Sequence, residues 1–62
     1  MTLREIPIGA IFAYQLKDGS YSERIYIKAR YDTHLHQWEC PRFGYAHCRL
    51  YLSGAREVKI AR

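Results

Sequence analysis

The chain alternates apolar and polar residues with the period of a β-strand over most of its length. From Glu23 to Tyr31 the odd positions read Glu23, Ile25, Ile27, Ala29 and Tyr31, and the even positions read Arg24, Tyr26, Lys28 and Arg30. From Tyr45 to Leu52 one set is Ala46, Cys48, Leu50 and Leu52, and the other is Tyr45, His47, Arg49 and Tyr51. Period two with one apolar side predicts half-buried strands, with Ile25 and Ile27 inward on the first segment and Cys48, Leu50 and Leu52 inward on the second. No segment carries the longer period of an amphipathic helix.

Turn residues divide the pattern into elements. Thr2-Leu3-Arg4-Glu5 fits a capping box, and Pro7 stops the helical turn almost at once. Leu3, Ile6 and Ile8 are expected to tuck under a sheet, with a turn at Pro7-Ile8-Gly9. Ile11 to Leu16 is the first strand, with Phe12, Tyr14 and Leu16 on one side. Lys17-Asp18-Gly19-Ser20 contains Asp-Gly, a strong hairpin signal. A long second strand, Tyr21 to Tyr31, leaves room for a bend. After a connection at Asp32–Leu35, a third strand runs from His36 to Cys40 and stops at Pro41. Arg42-Phe43-Gly44 turns into a fourth strand, Tyr45 to Leu52. With Trp38 opposite Cys48, Glu39 would face His47 and Gln37 would face Arg49, a register that the charges favour. Ser53–Arg56 then leads to a last strand at Glu57–Ala61, with Val58 and Ile60 inward.

Five short antiparallel strands of this spacing predict an all-β domain: a small five-stranded barrel or a strongly curved sheet, with a short N-terminal helical turn. Closure would remove the edges that invite aggregation. Residues 1–62 form one domain. A chain of this size buries only about 60% of its extended surface. Its expected stability is about 3–9 kcal/mol. Small domains of this kind commonly gain support from a metal, a disulfide or a second subunit.

The elements in this order resemble small SH3-like β-barrels, most of all the short uncharacterised barrels of bacterial and phage genomes. The residues that carry the likeness are Leu3, Ile6-Pro7, Gly9, Phe12 and Tyr14 at the start, and Leu52-Ser53-Gly54, Val58 and Ile60 at the close. The resemblance implies a binding domain, because such barrels hold RNA, DNA, peptides or other proteins. The fold alone does not choose among them. The acidic loop and aromatic groove of proline-binding SH3 domains are not present as a convincing set.

Charge and candidate chemistry narrow the choice. Lys and Arg total 10 against 6 Asp and Glu, a net charge of +4. A basic excess suits acidic partners, and it also serves plain solubility. Cys40 and Cys48 read as small core fillers. In the expected register they lie diagonally, at or beyond the separation a disulfide spans. His34, His36, Cys40, His47 and Cys48 cluster in sequence, but no knuckle spacing appears and Trp38 stands between two of them. No metal or other cofactor is expected. Gly9, Gly19, Gly44 and Gly54 are isolated at turns, so no phosphate loop is present. The carboxylates are scattered, no close pair suits acid–base work, and no enzyme activity is expected. Two thiols without a visible export signal, and no apolar run near about 18 residues, point to a cytoplasmic chain without a membrane partner.

The remaining signal is a basic and aromatic face: Arg24, Tyr26, Lys28, Arg30, Arg42, Phe43, Tyr45, Arg49 and Tyr51. Tyr and Arg dominate protein interfaces, and they also stack on bases and fork to phosphates. The plain alternative is that a small domain with nine aromatic residues cannot hide them all. The leading expectation is a non-catalytic protein-interaction module, self-associating or serving as a phage or bacterial accessory protein. Its homo-oligomer is one expected partner. The alternative is a barrel that binds RNA or single-stranded DNA.

Overall fold

The structure is a computed structural model that describes residues 1–61. It is all-β: a 3₁₀ turn at Leu3–Glu5, then β1 (Ile11–Tyr14), β2 (Tyr26–Ile27), β3 (Arg30–Asp32), β4 (Gln37–Arg42), β5 (Tyr45–Leu52) and β6 (Val58–Ile60). These strands form one antiparallel sheet. β1 lies between β2 and β6, β4 pairs with both β2 and β3, and among the described residues β5 pairs with β4 alone. The sheet is not closed. Among the described residues no helix is long and apolar enough to cross a membrane.

The 3₁₀ turn forms as its capping box dictates. Glu5 Oε1 accepts from the Thr2 backbone N–H at 2.6 Å and from the Thr2 hydroxyl at 3.0 Å. Those bonds, the backbone one foremost, hold the Glu5 carboxyl below the usual carboxylate range. The turn is pinned beneath the last part of the chain: Leu3 N donates to Arg56 O and Arg4 N to Gly54 O, both at 2.9 Å. This places Leu3 and Ile6 in the core with Phe12, Tyr26, Cys40, Leu52 and Val58. Ile8 and Ile60, both expected inward, are instead exposed. Ile8 sits in the Pro7–Gly9 turn, outside the sheet's cover. Ile60 lies at the end of the sheet order, on a strand that among the described strands pairs with β1 alone.

The Asp-Gly hairpin is present. Gly19 adopts φ 91°, and Asp18 Oδ1 accepts from Ser20 N at 3.0 Å and Ser20 Oγ at 2.6 Å. Gln15 and Tyr21 bridge across it, so extended pairing continues past β1 only as a single bridge. The expected long second strand is divided into β2 and β3 by a break at Lys28-Ala29.

The expected faces of this segment are also inverted. Tyr26 and Lys28 are the buried residues, at 5% and 3% exposure, while Ile25 and Ile27 are only half-buried. Tyr26 stacks into the aromatic core, its ring centroid 6.5 Å from Phe12 and 5.8 Å from Tyr14. Lys28 reaches the backbone carbonyls left open by the N-terminal turn, donating to Ile6 O at 2.7 Å and Arg4 O at 3.4 Å. An ammonium that finds such partners can occupy a core position that its sequence pattern assigns to the surface.

The β4–β5 register also differs from expectation. Trp38 lies opposite Leu52, Glu39 opposite Tyr51, Cys40 opposite Leu50 and Pro41 opposite Arg49. Next, Arg42 pairs with Tyr45 across the Phe43-Gly44 turn, where Gly44 takes φ 83°. Three residues of β5, Ala46, His47 and Cys48, therefore have no opposite number on β4. Pro41 does not end the strand, which runs on to Arg42. With this register Cys48 is exposed rather than inward, and Cys40 alone is buried.

Candidate functional site

The nine residues expected to form one basic and aromatic face are distributed over four settings. Tyr26 and Lys28 belong to the core and leave the face altogether. The inward turn of Lys28 has an electrostatic signature, because burial pulls its ammonium pKa below the usual lysine value. Its Nζ lies over the Trp38 ring, 4.1 Å from the centroid. Nearby, burial pushes the Cys40 thiol up to about 12.

Arg30, Arg49 and Tyr51 converge on Glu39. The Tyr51 hydroxyl donates to Glu39 Oε1 at 3.1 Å, Arg49 Nη1 lies 3.5 Å from the same oxygen, and Arg30 Nε lies 3.5 Å from Oε2. The register brings them there: Arg30, Glu39 and Tyr51 stand in one cross-strand row over β3, β4 and β5. Glu39 was expected to face His47. The displaced pairing gives it two guanidiniums and a phenol instead, so this part of the surface is locally compensated.

Arg24 sits at a separate cleft of about 320 Å³ lined by Tyr14, Leu16, Ser22, Glu23, Arg24 and Tyr26. Tyr14 forms its aromatic wall. The Arg56 guanidinium lies 5.1 Å from the Tyr14 ring centroid and is held there by two bonds to Gln15 O, at 3.3 and 3.0 Å. Sequence reasoning did not single out this cleft. Its available signal was Leu16, an apolar residue beside the exposed hairpin that ends up 39% exposed.

The last setting is the β4–β5 hairpin. Phe43 and Tyr45 are 37% and 51% exposed, and the Arg42 guanidinium lies 4.4 Å from the Tyr45 ring centroid. Phe43 N donates to Ile25 O at 2.9 Å, which ties the turn to the chain just before β2. The whole stretch Tyr45–Arg49 is exposed. Arg42, Phe43, Tyr45 and Arg49 are thus the expected residues that the fold does keep on one accessible element.

The histidines and cysteines do not assemble. Among the described residues no three His, Cys, Asp or Glu side chains are grouped so as to hold a metal ion. Both thiols are free. His36 occupies the loop before β4 with φ 54°, and Asp32 Oδ1 organises that loop by accepting from His34 N at 2.9 Å and Leu35 N at 3.0 Å. The chain matches no protein-family model, no curated protein and no solved structure.

Proposed function

We propose that this chain is a non-catalytic protein-interaction module whose contact surface is the β4–β5 hairpin and the adjoining part of β5. The observation that carries this reading is the cluster at the hairpin: Phe43 and Tyr45 exposed together, with Arg42 stacked on Tyr45 at 4.4 Å. Rigid aromatic rings and an ordered guanidinium supply contact area at low entropic cost, which is why Tyr and Arg carry interface energy. The SH3-like barrel is part of the same proposal. Its support is the pairing of the first strand with the last and the 3₁₀ turn pinned beneath the close of the chain.

Nucleic acid is the less favoured partner because the basic stripe is broken. Lys28 faces inward, and Arg30 and Arg49 share Glu39. Of the cations expected on that face, Arg24 and Arg42 then remain to displace counterions. The test is a titration with a fifteen-residue oligo-dT at several salt concentrations, beside light scattering of the protein alone and of Phe43→Ala and Tyr45→Ala variants. The expected result is weak single-strand binding that modest salt abolishes, and self-association reduced more by the aromatic changes than by Arg24→Ala or Arg30→Ala. Submicromolar, sequence-tolerant binding at physiological salt would overturn the proposal.

A further inference from the structure

The cleft between Tyr14 and Arg24 contains polar groups that the fold leaves without partners. Tyr26 is 5% exposed, and its hydroxyl makes no hydrogen bond among the described residues. Among those residues no sealed side-chain oxygen or nitrogen lacks a partner. The Tyr26 hydroxyl therefore reaches an opening, and the cleft is the opening that Tyr26 lines. The Tyr14 hydroxyl, on the same wall, is also unpartnered among the described residues. This wall is ordered from behind: the two rings lie 5.8 Å apart, and the Arg56 guanidinium stacks on Tyr14 at 5.1 Å. A buried tyrosine normally finds a partner for its hydroxyl within the protein. A phenol held open in a cleft is placed to take that partner from a ligand.

The other polar groups select the ligand. Ser22 Oγ is spent within the fold, accepting from Tyr14 N at 3.2 Å and donating to Arg24 O at 2.8 Å. These bonds hold the Ser22–Arg24 strip against β1. Glu23 and Arg24 are exposed lining residues, and neither forms an ion pair among the described residues. A guanidinium only donates, and a carboxylate only accepts. A bare anion answers Arg24 but meets Glu23, and a bare cation does the reverse. A ligand with a carboxylate and an ammonium on neighbouring atoms answers both, and the phenols can donate to the same carboxylate. Leu16, 39% exposed, supplies an apolar lip. The cleft holds about 320 Å³. That is the lower end of the range for small-molecule sites, about 300–1,000 Å³, so the ligand is small. We infer that this cleft binds a free α-amino acid with an apolar side chain. Its carboxylate turns to Arg24 and the Tyr14 and Tyr26 hydroxyls, its ammonium to Glu23 and its side chain to Leu16. The site goes beyond the hairpin surface proposed above and shares none of its residues.

The test follows amide chemical shifts of the full chain during titration with L-leucine. The controls are glycine, N-acetyl-L-leucine, L-leucinamide and inorganic phosphate. L-leucine should shift amides between Tyr14 and Tyr26 and saturate in the millimolar range. Each control lacks the side chain, the ammonium or the carboxylate, and should bind about tenfold more weakly or less. Arg24→Gln and Tyr26→Phe should each weaken L-leucine about fivefold, the scale of one lost hydrogen bond. Tyr26→Phe keeps the ring and so keeps the core. Glu23→Gln should weaken L-leucine and leave N-acetyl-L-leucine unchanged. No shift in the cleft at tens of millimolar L-leucine overturns the inference, as does undiminished binding by Tyr26→Phe. Equal binding of N-acetyl-L-leucine overturns it in favour of peptide chain ends, and equal binding of phosphate in favour of a plain anion site. All these outcomes leave the hairpin reading standing, because Phe43→Ala should reduce self-association without changing the affinity for L-leucine.

Discussion

Lys28 Nζ lies 4.1 Å from the centroid of the Trp38 ring while donating to Ile6 O at 2.7 Å. One buried ammonium thereby joins the N-terminal turn, the break between β2 and β3, and the first half of β4. Lys28→Met keeps most of the stem and removes the donors, leaving Ile6 O without this partner. The expected loss is about 1–3 kcal/mol, the usual penalty for a buried acceptor stripped of its donor. Urea unfolding monitored by Trp38 fluorescence measures it. A variant more stable than the parent would show that desolvating the ammonium outweighs its bonds.

Cys40 makes stability sensitive to alkali. Its folded pKa is raised from 9.0 to about 12. Below 9.0 the thiol is protonated in both states and contributes nothing. Between 9.0 and about 12 the unfolded chain loses this proton and the folded chain does not, so stability falls as pH rises. The slope from this group approaches about 1.4 kcal/mol per pH unit. Cys40→Ala will have a lower baseline from the cavity it leaves. Its stability from pH 9 to 11 should nevertheless decline less steeply than the parent's, and parallel declines would refute the assignment.

Gly44 takes φ 83° in the β4–β5 turn, and a Cβ there would meet nothing within 4 Å. Gly44→Ala should therefore cost about 1–2 kcal/mol from backbone strain alone. His36 holds φ 54° with an ordinary side chain, so His36→Gly should be neutral or stabilising by a few tenths of a kcal/mol, about the difference between strain relieved and unfolded entropy gained. Thermal melts of the two variants should move in opposite directions or leave His36→Gly unchanged. A larger loss for His36→Gly would contradict the loop geometry.

Glu39 restrains the surface charge. Glu39→Gln keeps the shape, raises the net charge by one and leaves Arg30 and Arg49 without their shared carboxylate. Stability should fall by about 1 kcal/mol, because both guanidiniums are solvent-exposed although the Glu39 side chain is largely covered. Oligo-dT binding should strengthen and its salt dependence steepen. Unchanged single-strand binding would show that these guanidiniums do not face the solvent as described.

Local signals were readable wherever neighbouring residues alone decide the outcome. The capping box at Thr2–Glu5, the Asp18-Gly19 hairpin and the turn around Gly44 each depend on a few backbone bonds within reach of the same short segment. The alternation that marks β5 and the strand character of Gln37–Cys40 likewise follow from residue order. Which face turns inward did not. For Tyr26 and Lys28 it depended on carbonyls of Arg4 and Ile6, more than twenty positions earlier, being present to receive an ammonium.

The candidate site divides in the same way. The sequence by itself determined that Arg42, Phe43 and Tyr45 share a turn, because a tight hairpin places them together whatever the rest of the chain does. Only the tertiary structure decided that Arg30, Arg49 and Tyr51 meet at Glu39, and that Ala46–Cys48 are left opposite nothing on β4. Charge matching had favoured Glu39 beside His47. Burial of Cys40, Leu52 and Trp38 against the Leu3–Phe12 core outweighs a surface pair, and it sets the register before the charges can.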